Sequence, residues 1–90
     1  MLVDRVLDEI RGGAMILVVV RTRDPHRQSE AMRAALGVTL RGQRVEVVVD
    51  EPLLTPLAER SAATLRSFGH PVGVDLGEAL TRADVVEVWT

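Results

Sequence analysis

The stretch Met15-Ile16-Leu17-Val18-Val19-Val20-Arg21-Thr22-Arg23-Asp24-Pro25 decides the fold. Its first six residues are a continuous apolar run with three consecutive valines, the pattern of a strand buried on both faces of a parallel sheet. Polar residues lead out of the run. Asp24 is a good N-cap, and Pro25 falls at the first helical position, where its missing N–H costs nothing. A central strand handing over to a helix is therefore predicted here.

Working outward, Ala31, Met32, Ala35, Leu36 and Thr39-Leu40 continue the helix at i, i+3, i+4 spacing, with Gly42 just beyond as its stop. Val45 to Val49 reads as a second strand, closed by the acidic turn Asp50-Glu51-Pro52. Thr55-Pro56 repeats the helix-start signal, and Leu57, Ser61-Ala62, Leu65 and Phe68 form one stripe ending at Gly69. Pro71 to Val74 suggests a short strand. Asp75-Leu76-Gly77-Glu78 then places an acidic N-cap three residues before a glutamate, opening a short helix to about Arg82. Val85 to Trp89 is a last strand. The order βαβαβαβ implies right-handed crossovers and helices on both faces of a mostly parallel sheet, a three-layer α/β/α sandwich of four to five strands.

Ahead of this unit, Leu2, Val3, Val6, Leu7 and Ile10 recur at helical spacing, with Asp4, Arg5, Asp8 and Glu9 on the other side and Gly12-Gly13 as a stop. Residues 1–14 thus read as an N-terminal helical extension, and residues 15–90 as a single α/β domain. The extension lacks the apolar core of a signal peptide, and the longest apolar run is far below the roughly 20 residues that span a bilayer, so a cytoplasmic protein without membrane contact is expected.

Composition narrows the function classes. With 90 residues, 47% of them hydrophobic and 27% charged, the chain is ordinary for one globular core. A core this small buries only about 60–65% of the surface of its unfolded chain, which favours oligomerisation. The formal net charge of −2 gives none of the positive field that nucleic-acid binding needs. The absence of cysteine excludes disulfides, thiolate nucleophiles and Cys-ligated zinc.

The helix Ser29-Glu30-Ala31-Met32-Arg33-Ala34-Ala35-Leu36-Gly37-Val38-Thr39-Leu40-Arg41-Gly42, preceded by the apolar strand and followed by Val45 to Val49, resembles the DsrE/DsrF/DsrH family. The likeness continues through Leu65 to Gly69 and Leu76 to Leu80, and the terminal Val88-Trp89 is similar to the tail of the small DsrH/TusB-like subunits. The resemblance implies a DsrE-like sandwich that assembles with itself or with other DsrE-like subunits. In several members of the family such assemblies pass persulfide sulfur between partners. The cysteine that carries sulfur in those members corresponds to Leu76 here, and leucine offers neither nucleophile nor charge. The expectation is a non-catalytic, oligomer-forming subunit, an assembly partner in intracellular sulfur relay, with no cofactor.

A competing expectation comes from Arg21, Arg23, His26 and Arg27, which cluster where the first strand hands over to the first helix. Ligands of open α/β sheets bind beyond the carboxyl ends of strands, and guanidinium groups beside helix N–H groups suit phosphate, sulfate or carboxylate. The alternative function is therefore a small-anion binder or an enzyme using this loop. The same arginines also suit plain surface pairs with Asp24, Glu30 and Asp50. His26 as a general base has only Thr22 or Ser29 within short sequence reach. Neither His26 nor His70 has partners at metal-ligand spacing, so no metal site is expected. Asp50-Glu51 suits a ribose hydroxyl, but the glycine-rich phosphate loop that accompanies that role is missing from 21–29.

Overall fold

A computed structural model describes residues 15–90; the expected N-terminal helix over 1–14 lies outside the described residues. The chain runs β1 (Met15–Val20), α1 (Pro25–Thr39), β2 (Arg44–Val49), α2 (Pro56–Ser67), β3 (Val72–Gly73), α3 (Leu76–Arg82) and β4 (Val85–Trp89). The four strands form one all-parallel sheet in the order β3-β2-β1-β4. As expected, β1 is central, and its apolar run is explained by burial on two sides. Ile16, Val18 and Val20 face α1 and α2, where they join Ala31, Met32, Ala35, Ala58, Ala62 and Leu65. Leu17 and Val19 face the other way, toward Val48 and Ala79 of α3. Helices cover both faces, which gives the three layers.

Local chemistry sets the helix ends. Asp24, Thr55 and Asp75 each accept a hydrogen bond from a backbone N–H of the first turn, at His26, Ala58 and Glu78 respectively. Gly42 and Gly69 follow α1 and α2 with φ of 80° and 83°, a left-handed conformation in which a Cβ is strained. Asp75→Ala is expected to cost about 0.5–2 kcal/mol, the usual range for a lost N-cap. Urea unfolding reads this as a lowered midpoint, and an unchanged midpoint would mean that the cap is idle.

Three apolar residues of the expected helix stripes lie outside the core. On α2 the buried residues are Ala58, Ala62 and Leu65, whereas Leu57 and Phe68 are exposed. On α1 the stripe stops short of Leu40, which is the exposed C-cap.

The second face carries a buried charge. Glu46 of β2 stands beside Leu17 of β1 and is almost fully buried, with Arg82 of α3 gripping both its carboxylate oxygens at 2.9–3.3 Å. Donating to the Glu46 carboxylate holds the Arg82 guanidinium above its ordinary pKa. For a base raised in this way, the stabilisation is complete below the ordinary pKa and is lost only in strong alkali. The pair therefore works at every physiological pH. It also fixes the roll of α3. Leu76, Ala79 and Ala83 pack on the second-face core, Arg82 reaches Glu46 of β2, and Leu80 is exposed.

Candidate functional site

The carboxyl ends of β1 and β2 feed the loops 21–24 and 50–55, and the side chain of Gln28 ties the two together. Its Nε2 donates to the carbonyls of Thr22 at 2.8 Å and Pro52 at 2.9 Å, and its Oε1 accepts from the Leu54 N–H at 3.0 Å. Gln28 is completely buried. Sequence reasoning missed this residue, because a glutamine in the first turns of a helix has the signature of a solvated position.

The structure places all four residues of the basic cluster at this edge, and each has a partner. Arg21 Nε lies 3.1 Å from Asp50 Oδ2, and Arg23 Nε lies 3.0 Å from Glu51 Oε2. His26 Nε2 lies 2.6 Å from Glu30 Oε1, one helical turn on. Arg27 Nε donates to the Thr90 carbonyl at 3.2 Å, and its guanidinium lies 5.0 Å from the centroid of the Trp89 ring. Asp24 caps α1 instead of pairing with an arginine, and the Arg23 partner is Glu51. The acidic turn Asp50-Glu51 thus faces guanidinium groups, not an open ribose-sized space.

Strand order reverses at β1, since β2 and β3 build out on one side of it and β4 lies on the other. In open α/β sheets ligands favour the crevice at such a reversal. Here Arg27 and Trp89 stand at that point. The hydroxyls near the loop are also engaged: Thr22 Oγ1 accepts from the Asp24 N–H at 3.1 Å, and Ser29 Oγ lies 3.4 Å from Thr55 Oγ1. His26 faces Glu30 rather than either hydroxyl. Among the described residues no group of three or more His, Asp or Glu side chains is placed to hold a metal ion.

A cavity of about 570 Å³ opens beside this loop, between the ends of β2 and β3 and the flank of α2. Asp50, Glu51 and Glu59 line it together with Arg66, so carboxylates outnumber cations. Arg66 is turned to the Val72 carbonyl at 3.1 Å. This arrangement disfavours an anion.

Leu76, the position that the family resemblance equates with a sulfur-carrying cysteine, opens α3 and packs partly buried against Leu17, Val19, Val48 and Ala79. It belongs to the core of the second face. His70 follows the α2 stop, where its backbone N–H bonds the Leu65 carbonyl. No helix among the described residues is long and apolar enough to cross a membrane. Compared with known protein families, curated proteins and solved structures, the chain matches none of them.

Proposed function

We propose that the chain is a non-catalytic, oligomer-forming subunit of the DsrE-like kind, and that two copies join through the outer edge of β4. The contrast between the two edges of the sheet carries this reading. At one edge β3 is two residues long, and its outward carbonyl, on Val72, accepts from the Arg66 guanidinium. Short strands and charged covers are how sheets blunt an edge. At the other edge β4 presents Val-Val-Glu-Val-Trp with no proline. The Arg21 N–H bonds the Trp89 carbonyl, so Val85, Glu87 and Trp89 turn their backbone groups to β1 while Val86 and Val88 turn theirs outward. An edge of this length and composition is a template for pairing with another strand.

The paired state of Arg21, Arg23 and His26 weighs against the anion-binding alternative. In a sulfur relay the transferred sulfur would reside on a cysteine-bearing DsrE-like partner, and this chain would supply the scaffold.

Light scattering tests the reading. The expected mass is twice the 9.8 kDa of one chain at micromolar concentration. Val86→Pro, which deletes an outward N–H without touching the β1 ladder, is expected to return the monomer mass with the fold intact by circular dichroism. A wild-type mass of 9.8 kDa throughout the micromolar range, or a dimer unaffected by Val86→Pro, would overturn it.

A further inference from the structure

Because β3 is only two residues long, the chain leaves the sheet at Val74, and the cavity of about 570 Å³ opens beyond the ends of β2 and β3. That volume falls within the ~300–1,000 Å³ of small-ligand sites, and the carboxyl edge of an open α/β sheet is where such ligands bind. The apolar side of the cavity is anchored. Val49, Leu53 and Val72 are partly buried and packed on the core beneath α1 and α2, and Ala62 is buried within that core. The polar side is unbalanced. Asp50 and Glu51 each give one oxygen to an arginine, Arg21 and Arg23 respectively, and neither arginine lines the cavity. Glu59, in the first turn of α2, has no hydrogen-bond or ion-pair partner among the described residues. The lining guanidinium, Arg66, has its Nε and Nη2 turned to the Val72 carbonyl.

We infer that this cavity binds a small organic cation, an ammonium group on an apolar body the size of one ring, with the ammonium at Glu59 and the body against Leu53, Ala62 and Val72. An anion would meet three carboxylates and a guanidinium that is already engaged. A neutral apolar molecule would leave the Glu59 carboxylate beside it without a counter-charge, whereas an ammonium supplies the missing donors. A bare metal ion would leave the apolar side unused, and among the described residues no group of three or more His, Asp or Glu side chains is placed to hold one. The spacing on α2 suits the class. Residues 59, 62 and 66 share one face of the helix, and the rise from Glu59 to Arg66 is roughly 10 Å, room for a ring and its side arm. A Glu59 that only complements the positive end of the α2 dipole predicts no such ligand. The cavity lies on the β3 side of the sheet, away from β4, so it stands or falls independently of dimerisation.

The test titrates the nitrogen-15-labelled full chain with phenethylamine and follows the backbone amides by NMR. Saturable shifts at Leu53, Glu59, Ala62 and Val72 are expected, with a millimolar dissociation constant. Two controls divide the ligand: 3-phenylpropionate keeps the body and reverses the charge, and methylamine keeps the charge without the body. Each is expected to bind at least about tenfold more weakly. Glu59→Gln, at an exposed position, is expected to weaken phenethylamine about tenfold, the usual worth of a hydrogen bond to a charged group. No saturable shift at these amides, equal binding of 3-phenylpropionate, or an unaltered affinity in folded Glu59→Gln protein would overturn the inference, the last by showing that the carboxylate serves only the helix dipole. Should Glu59→Gln fail to fold, the comparison with 3-phenylpropionate on the wild-type chain decides. Val86→Pro is expected to bind phenethylamine as the wild type does, so loss of a dimer and loss of this site are read separately.

Discussion

Gln28→Leu is expected to destabilise the domain by about 3 kcal/mol or more, because leucine fills the space but strands three backbone groups. The carbonyls of Thr22 and Pro52 and the N–H of Leu54 would all lose their partner. Each buried polar group left unpaired costs about 1–3 kcal/mol, and partial solvation of the loops keeps the sum toward the lower end. Gln28→Glu is expected to retain the Leu54 contact alone and to fall in between. Urea unfolding with an unchanged slope measures both. A loss under about 1 kcal/mol for Gln28→Leu would mean that the loops hold their shape without this tie. The expectation matters for function, because the same tie sets where Arg21, Arg23, Asp50 and Glu51 meet.

Leu65→Ala is expected to cost about 3 kcal/mol, within the range for truncating a fully buried leucine. Few large side chains anchor the α1/α2 layer. Leu65 and Met32 are the largest completely buried ones there, packed among alanines at 31, 35, 58 and 62. For a domain this small each kcal/mol moves the melting temperature by about 4–8 °C, so a fall of about 12–24 °C should appear by calorimetry. Phe68→Ala, at the C-cap of the same helix, is expected to change stability by less than about 0.5 kcal/mol, since the residue is 67% exposed. Equal effects from the two would contradict the observed roll of α2.

That contrast shows where sequence reading ran out. The expected stripe of α2 runs through Leu57, Ser61-Ala62, Leu65 and Phe68. Ala62 and Leu65 are buried as expected, but Ala58 takes the place of Leu57 and Phe68, and its small side chain lets α2 lie close to Ala31 and Ala35 of α1. Hydrophobicity without regard to size rotates the stripe toward the large residues. Local features were legible for the opposite reason. The caps at Asp24, Thr55 and Asp75 and the left-handed turns at Gly42 and Gly69 depend on a few adjacent residues. The apolar run of β1 was legible too, since burial on both faces leaves no polar position. Gln28 and Glu46 were not, because all their partners but Thr22 lie 24 to 36 positions away and each resembles a surface residue until the chain folds. At the carboxyl edge the positions of Arg21, Arg23, His26 and Arg27 followed from the strand-to-helix handover. The carboxylates opposite Arg21 and Arg23 come from the next loop, and only the β1–β2 register brings them there.

The pairing of β1 with both β2 and β4 also sets a timetable for biosynthesis. Ile16 meets Val45, 29 positions on, and Val85, 69 positions on. The longer closure costs only ~0.8 kcal/mol more in chain entropy, a small equilibrium penalty. The delay is larger. At about 5–20 residues per second, ribosomes deliver Val85 roughly 2–8 s after Val45. During that interval one flank of Met15–Val20, an uncharged run of high β-propensity, has no native neighbour. Segments of that composition are the ones most prone to intermolecular pairing when exposed. Translation stalls between β2 and β4 are therefore the stage at which this chain is most vulnerable to aggregation.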